Sequence, residues 1–297
     1  MTREKLKNWA KTALNRSYWK AVLVGFILSF TAGTASSSGG GSSSGDFSDL
    51  NFENMSEEEI MIILGIVLVV LCVGFAIWIV SILLKAFLLN PLHVGCQAFF
   101  CDGLESEDPD LYLLGRGFKG NYKNVAKTMF FRDMYLSLWS MLSWIPTLLF
   151  IGICVFAIMM EDSGLAGIIL IIGFLIFFAG LIAAMIPFIM KTYEYWLIPY
   201  ILADNPDMEC KEVFALTKKM MTGHKWEAFV LILSFIGWEL LSVCTCGILS
   251  IFYVEPYKAY TLAGFYKVRV QQNNYLNGYN SGYDNSYNGG YNSGYNA

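Results

Sequence analysis

Charge is scarce in this chain. Asp, Glu, Lys and Arg make up 15% of its 297 residues, against 56% hydrophobic types. A water-soluble globule of this length cannot hide that much apolar surface behind so few charges, so a soluble fold is excluded and a membrane protein is indicated. Histidine is nearly absent, at two residues, and the seven cysteines show no zinc-type spacing. No metal site is therefore expected. Cys244 and Cys246 lie too close for an easy bridge, and most of the others fall in or beside apolar runs where cysteine packs as a small hydrophobe. A disulfide framework is not expected.

Catalytic constellations are missing as well. No nucleophile–base set appears, and the segment Gly115 to Gly120 lacks both a preceding strand and the Gly-Lys-Ser/Thr ending of a phosphate loop. Neither an enzyme nor a cofactor is expected, and the net charge of −4 gives no reason to expect nucleic acid. What the chain does have is long apolar runs, each near the roughly 20 residues that cross a bilayer core of about 30 Å.

The 20 Lys and Arg fall in four regions only, 1–20, 85–132, 191–225 and 258–269. Under the positive-inside rule these mark one side of the membrane, with both termini cytoplasmic. The expected fold class is an all-α membrane protein of six transmembrane helices, arranged as three hairpins with basic amphipathic interfacial helices. In order, the chain reads as a cytoplasmic amphipathic helix over 1–20, TM1 over 21–35, an extracytoplasmic Ser/Gly and acidic loop over 36–59 and TM2 over 60–89. A cytoplasmic segment over 90–127 leads to TM3 over 128–160, an external turn over 161–164 and TM4 over 165–190. A second cytoplasmic amphipathic segment over 191–224 precedes TM5 over 225–246, TM6 over 248–267 and a Tyr/Asn/Gly tail over 271–297.

Several of these segments carry two readings. The first places Leu6, Trp9, Ala10, Ala13 and Leu14 on one face opposite six basic residues, which suits an anionic inner-leaflet surface. Residues 21–35 also resemble a signal peptide with cleavage after Ala35, although the long basic segment ahead favours a retained anchor. The Ser36 to Gly45 tract reads as a spacer. Pro91 is expected to break the helix ahead of a shorter amphipathic piece, and Pro146 to kink TM3. The tail repeats tyrosine every four residues from Tyr275 to Tyr295 among polar neighbours, so it should be disordered, either inert or making weak multivalent contacts with protein partners.

Three stretches look alike: Ser17 to Lys20, Gly120 to Lys123 and Gly223 to Trp226. Each follows a basic segment and precedes an outward run, and the returning runs share a late proline at Pro91, Pro199 and Pro256. Three pseudo-equivalent units follow from this pattern.

Glu239 and Glu255 are the main candidate site. Each lies eight residues from Gly247, hence about 12 Å below the expected turn and at similar depth. A carboxylate at membrane depth costs about 2.5 to 3.5 kcal/mol, so such groups face a bundle interior or a wet cavity. With no base expected beside them, at least one of the pair should be protonated at pH 7; the alternative is that Glu255 serves backbone groups freed by Pro256 and Glu239 sits near the surface. Arg132, Asp133 and Glu194 could extend a polar path, and His93 is a further polar candidate.

The ordered set Asn90-Pro-Leu-x-Val-Gly95, Phe99-Phe100, Tyr200 to Pro206, Lys225-Trp226, Phe235 to Trp238, Glu255-Pro-Tyr257 and Phe265-Tyr266 resembles the bacterial membrane proteins of domain of unknown function 975. The resemblance runs from Arg3 to Arg269 and implies a multi-pass protein of the bacterial cell membrane without an assigned activity. His93 and Cys96 stand where that pattern has an acidic residue and a glycine. Two functions are carried forward: binding or transport of a small or amphiphilic solute through a cavity at Glu239 and Glu255, and a non-transporting scaffold or assembly factor. The bilayer, with anionic inner-leaflet lipids, is the expected partner in both.

Overall fold

A computed structural model of the chain describes residues 2–31, 57–159 and 163–289, and among these there is no strand. The loop expected over 36–59 lies outside the described residues up to 56, and so do residues 161 and 162 of the expected external turn and the last eight residues of the tail.

Among the described residues, twelve α-helices occur in chain order: α1 (Arg3–Arg16), α2 (Tyr18–Thr31), α3 (Glu57–Leu84), α4 (Asn90–Asp102), α5 (Tyr122–Met141), α6 (Trp144–Ile158), α7 (Ser163–Tyr195), α8 (Ile198–Asp204), α9 (Cys210–Met221), α10 (Lys225–Leu233), α11 (Ile236–Cys244) and α12 (Glu255–Gly289). A 3₁₀ segment at Leu111–Phe118 and single π turns at Lys85–Leu89 and Ser250–Val254 complete the described elements.

Three helices that begin beside a proline form the centre: α4 at Pro91, α8 at Pro199 and α12 at Pro256. Proline suits the first turn because its missing N–H has no intrahelical partner there and its fixed φ is already helical. Aromatic contacts join the three. Phe100 of α4 meets Tyr260 of α12 edge-on at 5.0 Å, and Tyr200 of α8 stacks on Tyr266 of α12 at 5.3 Å. The Tyr266 hydroxyl donates to Asp204 at 2.7 Å. All four rings are buried.

Each central helix leans on a segment with basic residues. α12 packs against α1, α4 against Leu111–Phe118, and α8 against α9. At the second of these the backbones nearly touch, because a Cβ at Gly95 would collide with the Leu114 carbonyl and one at Gly117 with the Pro91 carbonyl. Only glycine permits that approach.

The two π turns precede Pro91 and Pro256 and answer the same problem. Proline cannot take the carbonyl four residues back, which leaves those of Phe87 and Phe252 without their usual partners. The Tyr122 hydroxyl donates to Phe87 O at 2.6 Å, and the Tyr18 hydroxyl donates to Phe252 O at 3.0 Å. Tyr18 and Tyr122 belong to two of the three similar stretches in the sequence. At Pro199 the third solution differs: a turn at Trp196 and Leu197 interrupts the helix instead.

Away from this centre the helices are bare. Leu71 is 64% exposed and Val80 61% exposed on α3, and exposed Leu, Ile and Phe cover much of α6 and α7. Each large apolar side chain left in water forfeits about 1.5–3 kcal/mol, so such surfaces require lipid. Four stretches are long and apolar enough to cross a membrane: Met61–Asp102, Tyr122–Ile158, Gly167–Asp204 and Lys225–Cys244. Six were expected. The first apolar helix, α2, has 14 residues and rises only about 21 Å. The segment expected as the sixth is largely enclosed by protein, with Tyr257, Ala259, Tyr260, Ala263, Phe265 and Tyr266 all buried.

Other expectations are corrected. Pro91 does not break the chain, since the π turn absorbs it and helix continues on both sides. The piece that follows is not amphipathic, because Val94, Cys96, Ala98, Phe99, Phe100 and Cys101 are all buried. The apolar face of α1 is spent on protein: Leu6, Ala10, Ala13 and Leu14 are core residues, and the Trp9 indole donates to Leu104 O at 3.2 Å. Because α1 and α2 both supply this core, cleavage after Ala35 would remove part of it. Residues 57–59 already belong to α3, and the backbone of α12 runs on to Gly289, inside the tract read as a tail. The break expected near Pro146 falls at Leu142 and Ser143, where the proline again removes the bond to the carbonyl four residues back.

Candidate functional site

A cavity of about 390 Å³ opens where α2, α4, α5, α7, α8 and α12 converge. Its walls are mostly apolar, from Leu28, Leu136, Trp196 and Leu262, and its polar groups are His93, Gln97, Arg132, Glu255 and Lys258.

One turn of α4 sets the first pair, His93 and Gln97 standing four residues apart on the same face. The Thr31 hydroxyl donates to Leu28 O at 2.9 Å, which leaves its oxygen to accept from His93 Nδ1 at 3.3 Å. His93 Nε2 then accepts from Gln97 Nε2 at 3.4 Å. This assignment makes His93 neutral with the proton on Nδ1, as the chain of donors requires. Both ring nitrogens are thereby occupied, and His93 has no lone pair to spare for a metal. The unused valence is one atom further on, because Gln97 Oε1 is buried without a partner. Among the described residues, no three His, Cys, Asp or Glu are grouped to hold a metal ion.

Of the two carboxylates singled out by sequence, Glu255 lines the cavity and Glu239 does not. They do not stand alone. Lys258 Nζ donates to Glu239 Oε1 at 2.8 Å and lies 3.9 Å from Glu255 Oε1. Glu255 and Lys258 are one turn apart on α12, while Glu239 comes from α11. The expected pair of like charges is instead a carboxylate–lysine–carboxylate cluster, of which Glu255 and Lys258 line the cavity. Lysine reaches this depth because its four-carbon stem lies along apolar surface while the ammonium travels.

Arg132 lines the third side. Its Nε and Nη2 donate to Asp133 Oδ1 at 3.0 and 2.7 Å, and Asp133 Oδ2 accepts from the buried Asn90 at 3.1 Å and lies 3.4 Å from Lys85. Asp133 thus ties α5 to the π turn and the start of α4 while it holds Arg132 in place.

Glu194 is the sequence candidate left out. Its carboxylate accepts from Lys191 at 3.0 Å and from Lys225 at 2.6 Å, and its backbone carbonyl accepts from Thr217. It fastens the end of α7 to α9 and to the start of α10 and does not line the cavity.

Sequence reading missed Gln97 and Lys258. For Gln97 the available signal is its i+4 spacing from His93. Lys258 stands three residues after Glu255, but it had been counted as a flanking charge on the membrane surface.

Comparison with known proteins adds one match: the family model described as "Protein of unknown function (DUF975)" covers residues 1–274. No curated protein and no solved structure matches the chain.

Proposed function

We propose, on the premise that this chain belongs to the family described as Protein of unknown function (DUF975), that its central cavity binds a small amphiphile through a head group carrying an O–H or N–H. The mostly apolar lining, with Gln97 among its few polar residues, carries this reading. Glu255 and Lys258 offer an acceptor and a donor, and Leu28, Leu136 and Leu262 offer a surface for an apolar body. A cavity of a few hundred Å³ with apolar walls and a few convergent polar groups has the composition of a small-molecule site.

In this reading the chain crosses the bilayer six times as three hairpins, with the basic segments and both termini in the cytoplasm. The two tyrosine-to-carbonyl bonds around Pro91 and Pro256 favour repeated units. The cavity then lies where the three proline-bearing helices meet, a location that suits capture of a solute from the membrane or its movement across.

Native mass spectrometry of the full chain extracted gently from its host membrane tests this directly. The expected result is a small-molecule adduct that is lost in Gln97→Leu and in Glu255→Gln, with the unfolding temperature of Gln97→Leu no lower than that of the parent. A parent free of adduct, or variants that keep the same adduct, would remove the reading.

A further inference from the structure

A second groove lies on the far side of Tyr195 from the central cavity. It has a volume of about 510 Å³ and is lined by Lys127, Phe131 and Tyr135 of α5, Tyr195 of α7, and Lys211 and Phe214 of α9, with Cys210 at its edge. Its floor is a set of rings in mutual contact, with Tyr135 5.6 Å and Tyr195 5.2 Å from Phe214.

The charge is one-sided. No acid lines the groove; Glu194, Glu209 and Glu212, each adjacent in sequence to a lining residue, are not part of it. Among the described residues, neither Lys127 nor Lys211 has an ion-pair or hydrogen-bond partner. Two ammonium groups at the mouth of an aromatic groove lack their anion.

Leu138 of α5, Leu142 in the turn that follows it and Ile145 of α6 line a further apolar hollow of about 450 Å³. Lys127, Phe131, Tyr135, Leu138 and Leu142 follow one another at spacings of four, four, three and four, which keeps them on one face. From Phe131 to Leu142 this stripe rises about 16 Å, the depth of one leaflet of a core about 30 Å thick. Leu138 is 63% and Ile145 54% exposed, so the stripe is open to whatever lies beside it.

We infer that this face holds an acidic glycerophospholipid, its phosphate between Lys127 and Lys211 and one acyl chain laid along Phe131, Tyr135, Leu138 and Leu142. A free anion would meet the lysines but would gain nothing from the rings and the leucines. A zwitterionic lipid would bring its own cation to two that are already unpaired. The inference rests on α5 entering the bilayer and is independent of what the central cavity binds.

The test uses the full chain in phosphatidylcholine nanodiscs doped with a photoactivatable phosphatidylglycerol or, in a parallel arm, a photoactivatable phosphatidylcholine. Phosphatidylglycerol should cross-link to the peptide containing Phe131 to Leu142, and unlabelled phosphatidylglycerol should compete while inorganic phosphate does not. Each surface lysine contributes about 1 kcal/mol, so Lys127→Gln with Lys211→Gln should weaken binding roughly thirtyfold. Lys127→Arg with Lys211→Arg should retain it. Glu255→Gln should leave the cross-link unchanged, which separates this site from the central cavity. Equal labelling by phosphatidylcholine, competition by inorganic phosphate, or a glutamine double variant labelled like the parent would each overturn the inference.

Discussion

Lys258 shows most clearly how one side chain changes the chemistry read from sequence. Two carboxylates at similar depth suggest a shared proton, but an ammonium 2.8 Å from Glu239 and 3.9 Å from Glu255 supplies the positive charge instead. Lys258→Gln should therefore lower stability by about 1 kcal/mol, a partly exposed cluster being worth less than a fully buried one. Adding Glu239→Gln should recover part of that loss, as a double-mutant cycle on unfolding midpoints in detergent would register. Glycine at 95 and 117 acts through backbone contact. Gly95→Ala and Gly117→Ala should each cost about 1–3 kcal/mol by overpacking α4 against Leu111–Phe118. Gly115→Ala is the control: its Cβ would meet nothing nearer than Lys119 Cε at 3.9 Å, and thermal unfolding should show a change within about 0.5 kcal/mol.

Helices that start at a proline need something to take the carbonyl left behind, and at Pro91 and Pro256 it is a tyrosine from a distant helix. Removing the Tyr122 hydroxyl by Tyr122→Phe should cost about 1 kcal/mol, because Phe87 O loses its donor. The cost should shrink in a Pro91→Ala background, where an N–H at position 91 can take that carbonyl. A coupling energy near zero between the two substitutions would show that proline and tyrosine do not answer one another. The similar motifs around Tyr18 and Tyr122, and the spacing of Pro91 and Pro256, were visible in the sequence. That one tyrosine would reach the carbonyl ahead of the other unit's proline was not, since motif likeness says nothing about which helix lies beside which.

At the scale of the molecule, a compact centre of α1, α2, α4, α8 and α12 carries bare apolar helices that project from it. If these cross the membrane as three hairpins, the segment around Cys246 and the start of α9 lie on opposite sides. Cys246 is exposed and Cys210 partly exposed, so each can report on its own side as the single cysteine of a variant. A membrane-impermeant maleimide applied to intact cells should label Cys246 and spare Cys210, and the reverse pattern would invert the topology. Deleting residues 275–297 should leave the unfolding midpoint in place; among the residues whose side chains are described, the last buried ones are Tyr266 and Arg269.

Amino-acid order alone indicated lipid as the solvent of this protein and placed its long apolar runs, although helix carries on through Pro91, where a break was expected. These depend on local composition and on repulsion between charge and hydrocarbon, both of which act within a single segment. Tertiary structure decided which polar groups meet: Lys258 between two glutamates from different helices, Gln97 left with an open acceptor beside His93, and Glu194 drawn away to Lys191 and Lys225. Helical periodicity fixes which residues share a face, but only packing fixes what that face touches.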